Sequence, residues 1–346
     1  MDPLAAPPDE RVLPEAYLVG ARRQKRRVLL SLAVGALLLG SATACLVTQP
    51  MPKVKPGVGP CPVDPANLER HVRYLSEACV PRDWRSGQGL GQAAEFIAAT
   101  LRSHGGRTSE QVFEVRGKPY KNILASFGPE TGPRLVVGAH YDTCDALPGA
   151  DDNASGVAGL LELGRLLGAA APGIRVDLVA YTLEEPPFFR TRHMGSARHA
   201  QALKAEGSAV KAMIALEMIG RFSDAPGSQN YPSALLAPLY PDQGNFIAVV
   251  GRLGDISLVR AVKGAMIRTT PLPVVSINAP RWIPGIDFSD HHPYWDAGFP
   301  AVMVTDTAFN RNRDYHTPQD TADRLDYVRM ARVVQGVHGA VLELAR

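Results

Sequence analysis

The chain has 346 residues, 45% of them hydrophobic and 21% charged, enough for one large α/β domain or two ordinary ones, and it is not a disordered polymer. Its formal net charge is +3; residues 1–50 hold six basic and four acidic side chains, leaving 31 against 30 in the remainder. That near-neutral balance lacks the basic footprint of nucleic-acid binding, and no nucleic-acid partner is expected.

The chain opens on a tail, residues 1–27, that ends in Arg22, Arg23, Lys25, Arg26 and Arg27. Residues 28–48 then read VLLSLAVGALLLGSATACLVT, without a charge. A run of this length crosses a hydrocarbon core as a helix, and a basic flank holds its N-terminal side in the cytoplasm. The expectation is an uncleaved transmembrane signal anchor with everything after it exported, periplasmic or extracellular. Two rivals stay open: Ser41-Ala42-Thr43-Ala44 could precede a cleavage point, and Cys45 could be the acylated first residue of a lipoprotein. Residues 49–65, QPMPKVKPGVGPCPVDP, read as a stiff Pro-rich linker. Cys61 and Cys79 lie on the exported side, where either one disulfide or two unpaired thiols is consistent with the sequence.

From 66 to 346 the pattern is that of a single domain. Helical periodicity covers Asn67–Ala78, Gly89–His104, Gly156–Leu167, Ala197–Ala205, Ser257–Arg268 and Asp326–Leu344. Strand-like runs cover Gln111–Val115, Asn122–Phe127, Leu135–Ala139, Arg175–Thr182, Val210–Leu216, Phe246–Val250, Val274–Ile277 and Ala301–Val304. Strands alternating with helices predict a three-layer α/β/α domain with a central sheet, whose chemistry gathers at the carboxyl ends of strands.

Six motifs fall where such chemistry belongs. LVVGAHYDT ends a strand on His140, and Asp142 two residues on could hold the other ring nitrogen. Gly149-Ala150-Asp151-Asp152-Asn153-Ala154-Ser155-Gly156 places acids at a helix entry, either as a cap or as metal ligands. Glu184 and Glu185 follow the apolar strand VDLVAYT; one can bind a cation while the other acts as general base. Glu217 sits in the apolar run MIALEMIG, where an unpartnered acid is costly. SDHHPYW carries Asp290, His291 and His292, and DYHTPQDT carries His316. Nitrogen and oxygen donors without paired cysteines favour a hydrolytic zinc site over a structural thiolate one.

HYD, GADDNASG, LEE, LEM, SDHHPYW and YHTPQDT, in this order, resemble the co-catalytic zinc exopeptidase family that includes bacterial leucyl aminopeptidases, glutamate carboxypeptidase and, more distantly, glutaminyl cyclase. The resemblance spans roughly Asn67 to Arg346 and implies a zinc-exopeptidase-like fold with a mixed sheet. It implies an aminopeptidase-like hydrolase that cleaves peptides by metal-activated water. By the same resemblance, His140 and Glu185 match terminal ligands on opposite metals, Asp152 the bridging carboxylate, and His316 the histidine completing the second set. Glu184 matches the general base, Asp142 the partner of His140, and Asp290 with His291 a supporting motif. Glu217 departs from the aspartate usual in these peptidases. Two zinc ions are expected and one is the alternative, which would suit a glutaminyl-peptide cyclotransferase; a non-catalytic relative is the third reading. The loop after Glu185 is longer than usual, and there Phe188 and Phe189 are expected to line a substrate pocket and Arg190 to meet a substrate carboxylate.

Overall fold

The computed structural model describes residues 15–52 and 61–346 and divides into two units, residues 1–46 and 47–346. The tail's first fourteen residues and residues 53–60 of the linker lie outside the described residues. The first unit contributes most of helix α1 (Glu15–Thr48). Within it, Gln24–Thr48 is long and apolar enough to cross a membrane. Its leucines at 29, 30, 32, 37, 38 and 39 are 64% to 71% exposed, so the helix presents apolar surface with no protein partner there. That is compatible with an anchor or a signal sequence.

The second unit begins earlier than the expected domain boundary. Gln49, placed in the linker by sequence, is buried. The Lys263 ammonium donates to the carbonyls of Thr48 (2.9 Å) and Gln49 (2.8 Å) and to Ser276 Oγ (3.2 Å). Thr48 and Gln49, at the start of the second unit, are thus hydrogen-bonded into the folded domain.

The domain is built on eight strands: β1 (Arg107–Val115), β2 (Lys118–Phe127), β3 (Arg134–His140), β4 (Arg175–Tyr181), β5 (Val210–Glu217), β6 (Ile247–Gly251), β7 (Val274–Asn278) and β8 (Ala301–Thr305). They lie in the order β1-β2-β4-β3-β5-β8-β6-β7. The four central strands, β4-β3-β5-β8, are parallel; β1–β2, β2–β4 and β6–β8 pair antiparallel, so the sheet is mixed. The central strands are buried on both faces, which is why they read as unbroken apolar runs.

Helices cover both faces. α2 (Pro65–Arg73), α3 (Gly87–Ser103), α4 (Gly156–Gly168), α6 (Ile256–Thr269) and α8 (Tyr327–Leu344) form one layer; α5 (Gly195–Ala205) and α7 (His291–Ala297) form the other. Alternate β3 residues serve the two cores: Leu135, Val137 and Ala139 face the first layer, Val136 the second. α2 begins under an Asp64 cap with Pro65 at its first position and runs on through a π-helical turn, Tyr74–Ala78. All eight predicted strands and six predicted helices are present; α7, inside SDHHPYW, is an addition.

The chain leaves β3 through α4 to reach β4 on one side, then leaves β4 through α5 to reach β5 on the other. The sheet therefore has a switch point at β3, and the crevice beyond the carboxyl ends of β4, β3 and β5 is where this architecture places ligands.

The candidate metal centre

Four of the predicted site residues stand at that crevice because strand ends put them there. His140 is the last residue of β3 and pairs in register with Tyr181, the last of β4; Glu184 and Glu185 follow two turn residues later. Glu217 ends β5, opposite Thr305 of β8. The backbone turns sharply around the site: Leu183 (φ 61°) and Met218 (φ 49°) at the exits of β4 and β5, and His316 (φ 55°) in the loop before the last helix, all adopt left-handed conformations, which cost a side-chain-bearing residue about 1–2 kcal/mol and cluster at functional sites.

Asp152 is brought in by the loop before α4. Gly149 (φ 55°) opens that loop, where a Cβ would come within 2.3 Å of the Asp152 carbonyl, so only glycine fits. Asn153 then knots the loop to β5: its Nδ2 donates to the Leu216 carbonyl (2.9 Å), and its Oδ1 accepts from the N–H groups of Gly156 (3.0 Å) and Met218 (3.1 Å). Asp151 accepts from Gly220 N–H (3.0 Å) and from Asn312 Nδ2 (3.0 Å). The first acid of the Asp-Asp pair thus holds backbone, and the second faces the crevice.

The result is a buried set of imidazoles and carboxylates. His140 Nε2 lies 3.3 Å from Asp152 Oδ1 and 3.4 Å from Glu217 Oε2. His316 Nε2 lies 3.0 Å from Asp152 Oδ2 and 3.2 Å from Glu185 Oε1. The two oxygens of Asp152 are therefore shared between two histidines that come from β3 and from the loop before α8. Glu184 joins on the His140 side, donor atoms of His140, Glu184 and Glu185 lying within 4.8 Å of one another. The longer side chain at Glu217 still reaches His140, and Ser289 Oγ donates to its Oε2 (2.6 Å).

Electrostatically the cluster calls for a cation. Burial pushes Glu184 well above the usual carboxylate range; His140 opposes this, while Glu185 and Glu217 add to it. Burial and the Asp152 charge take Glu185 to about 7, against the pull of His316. Burial works to lower both imidazoles, but the carboxylates around them prevail, lifting His140 well above its ordinary value and His316 to about 12. The convergence of carboxylates thus favours positive charge at this place. A hard-to-borderline divalent cation fits such nitrogen and oxygen donors.

Two carboxylates brace the set without joining it. Asp142 Oδ1 and Oδ2 accept from the backbone N–H groups of Glu184 and Glu185, each at 3.1 Å. His140 Nδ1 lies 3.2 Å from the backbone carbonyl of Asp142, with the carboxylate 3.7 Å away, so the main-chain carbonyl is the nearer acceptor. Across the crevice, Asp320 accepts from Asp151 N–H and Asp152 N–H at 3.1–3.2 Å. The sequence reading had not singled out Asp320, although its place in HTPQDT was a signal. Tyr315 stacks on His316, centroids 3.8 Å apart. Asp290 and His291 are buried nearby; burial takes Asp290 up to about 7 and His291 down to about 3. His291 Nε2 holds the Ile286 carbonyl (2.8 Å), so this histidine secures the loop before α7.

The loop after Glu185 divides its expected roles. Phe189 lines the cleft with Phe288, Phe309 and Tyr315. Phe188 does not: it is buried against the edge of Trp84 at 5.5 Å, because it points back toward the body of the domain. Arg190 is ion-paired with Asp287 and lies over the Phe288 ring at 4.8 Å, so its charge already has a partner. The Cys61–Cys79 alternative resolves to free thiols.

Imidazole and carboxylate donors at the switch point of a mixed α/β sheet make a site suited to a divalent cation. The comparisons with known proteins agree. The model for Peptidase family M28 matches residues 122–341. Uncharacterized protein YfbL of Escherichia coli is 54% identical over 281 residues, covering 79% of this chain and 86% of that protein. Leucine aminopeptidase 1 of Aspergillus clavatus is 28% identical over 299 residues, 81% of this chain and 70% of the relative. Among solved structures, BSAP, a zinc aminopeptidase from Bacillus subtilis, superposes with a TM-score of 0.66 at 15% identity over 82% of this chain and 95% of its own. Porphyromonas gingivalis glutaminyl cyclase gives 0.60 at 22% identity over 80% and 97%. The chain belongs to peptidase family M28.

Proposed function

We propose that this chain is a zinc-dependent aminopeptidase with two metal positions, one held by His140, Asp152 and Glu217 and the other by Asp152, Glu185 and His316, and with Glu184 as general base. The observation that carries the reading is the division of Asp152: one carboxylate oxygen faces His140 and the other faces His316, 3.3 and 3.0 Å away. Zinc bound there supplies Lewis acidity to a peptide carbonyl and makes a water molecule acidic near neutral pH. Glu184 accepts the proton of the attacking water as its oxygen bonds to the carbonyl carbon, then delivers it to the amine as the C–N bond breaks. Burial suits Glu184 to that task by raising its affinity for the proton it must carry. Asp142 keeps the base and Glu185 in place through their N–H groups.

The walls suit an apolar N-terminal side chain. Phe189, Phe288 and Phe309 line the cleft beside the acids, and beyond Glu217 an apolar cavity continues between Tyr231, Leu236, Phe246 and Met303. Residues 28–48 are read as the membrane anchor, with the basic flank Arg22–Arg27 in the cytoplasm and the catalytic domain exported. The test is hydrolysis of aminoacyl reporters in the presence and absence of a chelator. Chelator-sensitive release, faster for leucyl than for glutamyl substrates, supports the reading. Ring closure of N-terminal glutamine without comparable hydrolysis transfers the chain to cyclase chemistry.

A further inference from the structure

In the sequence Cys144 stands alone, with no second cysteine near it. In the folded chain it closes the far side of the metal centre. Its Sγ, a carboxylate oxygen of Glu185 and a ring nitrogen of His316 all lie within 4.8 Å of one another, and the three line one small cavity with Asp152, Gly149 and Asp320. The turn that carries it is fixed: Thr143 N–H donates to the Arg82 carbonyl (3.4 Å) and Thr143 Oγ1 to the Asp145 carbonyl (3.1 Å). Arg82, itself fully buried, ties the Tyr141 and Gly149 carbonyls on either side of that turn to its guanidinium. Cys144 is half-buried and in no disulfide.

Resting on the two-position reading above, we propose that Cys144 is an additional side-chain donor at the Glu185–His316 position. The two positions then differ in kind. The His140 position has one nitrogen and two carboxylates. The His316 position has one nitrogen, two carboxylates and a thiolate, a set that favours thiophilic cations such as zinc or cadmium over magnesium or manganese. Four side-chain donors close a zinc site, whereas three leave a place for water or substrate. The open position is then the one at His140, on the side where Glu184 stands.

Cobalt(II) substitution of the full chain in detergent, with Cys144→Ser alongside, tests this without reference to turnover. The wild type should show a near-ultraviolet thiolate-to-cobalt charge-transfer band as one of two cobalt equivalents binds, and Cys144→Ser should lack it. Competition with a chelator should show one of two zinc sites weakened about tenfold or more in Cys144→Ser, with the other unchanged. Cobalt bound with its visible ligand-field bands but no charge-transfer band overturns the role of Cys144 and leaves the two-metal reading standing. A band that persists in Cys144→Ser assigns the thiolate to another cysteine and likewise overturns it. No cobalt uptake at all overturns the metal reading and this proposal together.

Discussion

Asp142→Asn is a small change with a calculable consequence. The wild-type carboxylate accepts two backbone N–H groups, one on each oxygen, and is buried. In the amide one acceptor becomes an NH2 group, so either Glu184 N–H or Glu185 N–H meets a donor. A buried donor left unmade costs about 1–3 kcal/mol, and the surviving bond loses the strengthening that an ionised acceptor provides. The turn carrying both acids should relax away from the crevice. Changes in groups that orient ligands cost about 10–100-fold in metal affinity or activity, about 1.4–2.8 kcal/mol, which agrees with the hydrogen-bond figure. His140, in contrast, rests on the Asp142 main-chain carbonyl, which the substitution leaves in place. The expected outcome is therefore selective: the zinc at Glu185 and His316 weakens about tenfold or more, the zinc at His140 changes little, and turnover at saturating zinc falls because Glu184 is displaced. Chelator competition read for each site, with kinetics at saturating metal, measures all three. Unchanged affinities and turnover, or loss confined to the His140 site, would refute the reasoning.

Glu184→Gln should retain both metals and lower turnover by about two to four orders of magnitude, whereas Glu185→Gln should lose metal and regain part of its activity with added zinc; metal analysis of both variants decides, and the opposite pattern reverses the assignment. A soluble truncated chain should begin near Val47, not near Pro65: without Thr48 and Gln49, Lys263 loses two of its acceptors, a loss of about 3 kcal/mol or more that equal denaturant midpoints for the two truncations would contradict. His199, buried with Nδ1 2.6 Å from the Tyr294 hydroxyl, is held by burial at about 4. The folded state therefore binds fewer protons than the unfolded one, whose histidine titrates near 6.5. Its contribution is intact above about pH 6.5 and is lost as pH falls toward 4, by about 3 kcal/mol in total. The stability difference between wild type and His199→Gln should shrink by that amount between pH 7 and pH 4, and a constant difference would contradict it.

The fold was legible because the central strands are buried on both faces and carry almost nothing but apolar residues, as in LVVGAH and VDLVAY. β1 was legible only from Gln111 onward, since Arg107–Glu110 are polar residues on an edge strand. α7 was missed because seven residues with two histidines and a proline carry no helical period. His140, Glu185 and Glu217 were legible as candidates for a related reason: an acid or histidine that interrupts an apolar run at a strand end stands out. Their supports were not. Nothing in Asp151-Asp152 says which acid turns inward, because that depends on Gly220 and Asn312. Arg190 could not be matched to Asp287, 97 positions away, nor Cys144 to His316, until the chain was folded.

The paired braces at Asp142 and Asp320 separate scaffolding from chemistry. Each grips consecutive amides on one wall, so the origin of every donor on that wall is set by main chain and not by the identity of the donor. Such a cradle tolerates replacement of its occupants. A carboxylate on these walls, Asp152 or Glu185, can change to another ligand type while the amides behind it stay where they are. Metal preference and substrate preference can then drift separately, the first through side chains such as Cys144 and Glu217, the second through the aromatic walls, with neither change having to rebuild the frame.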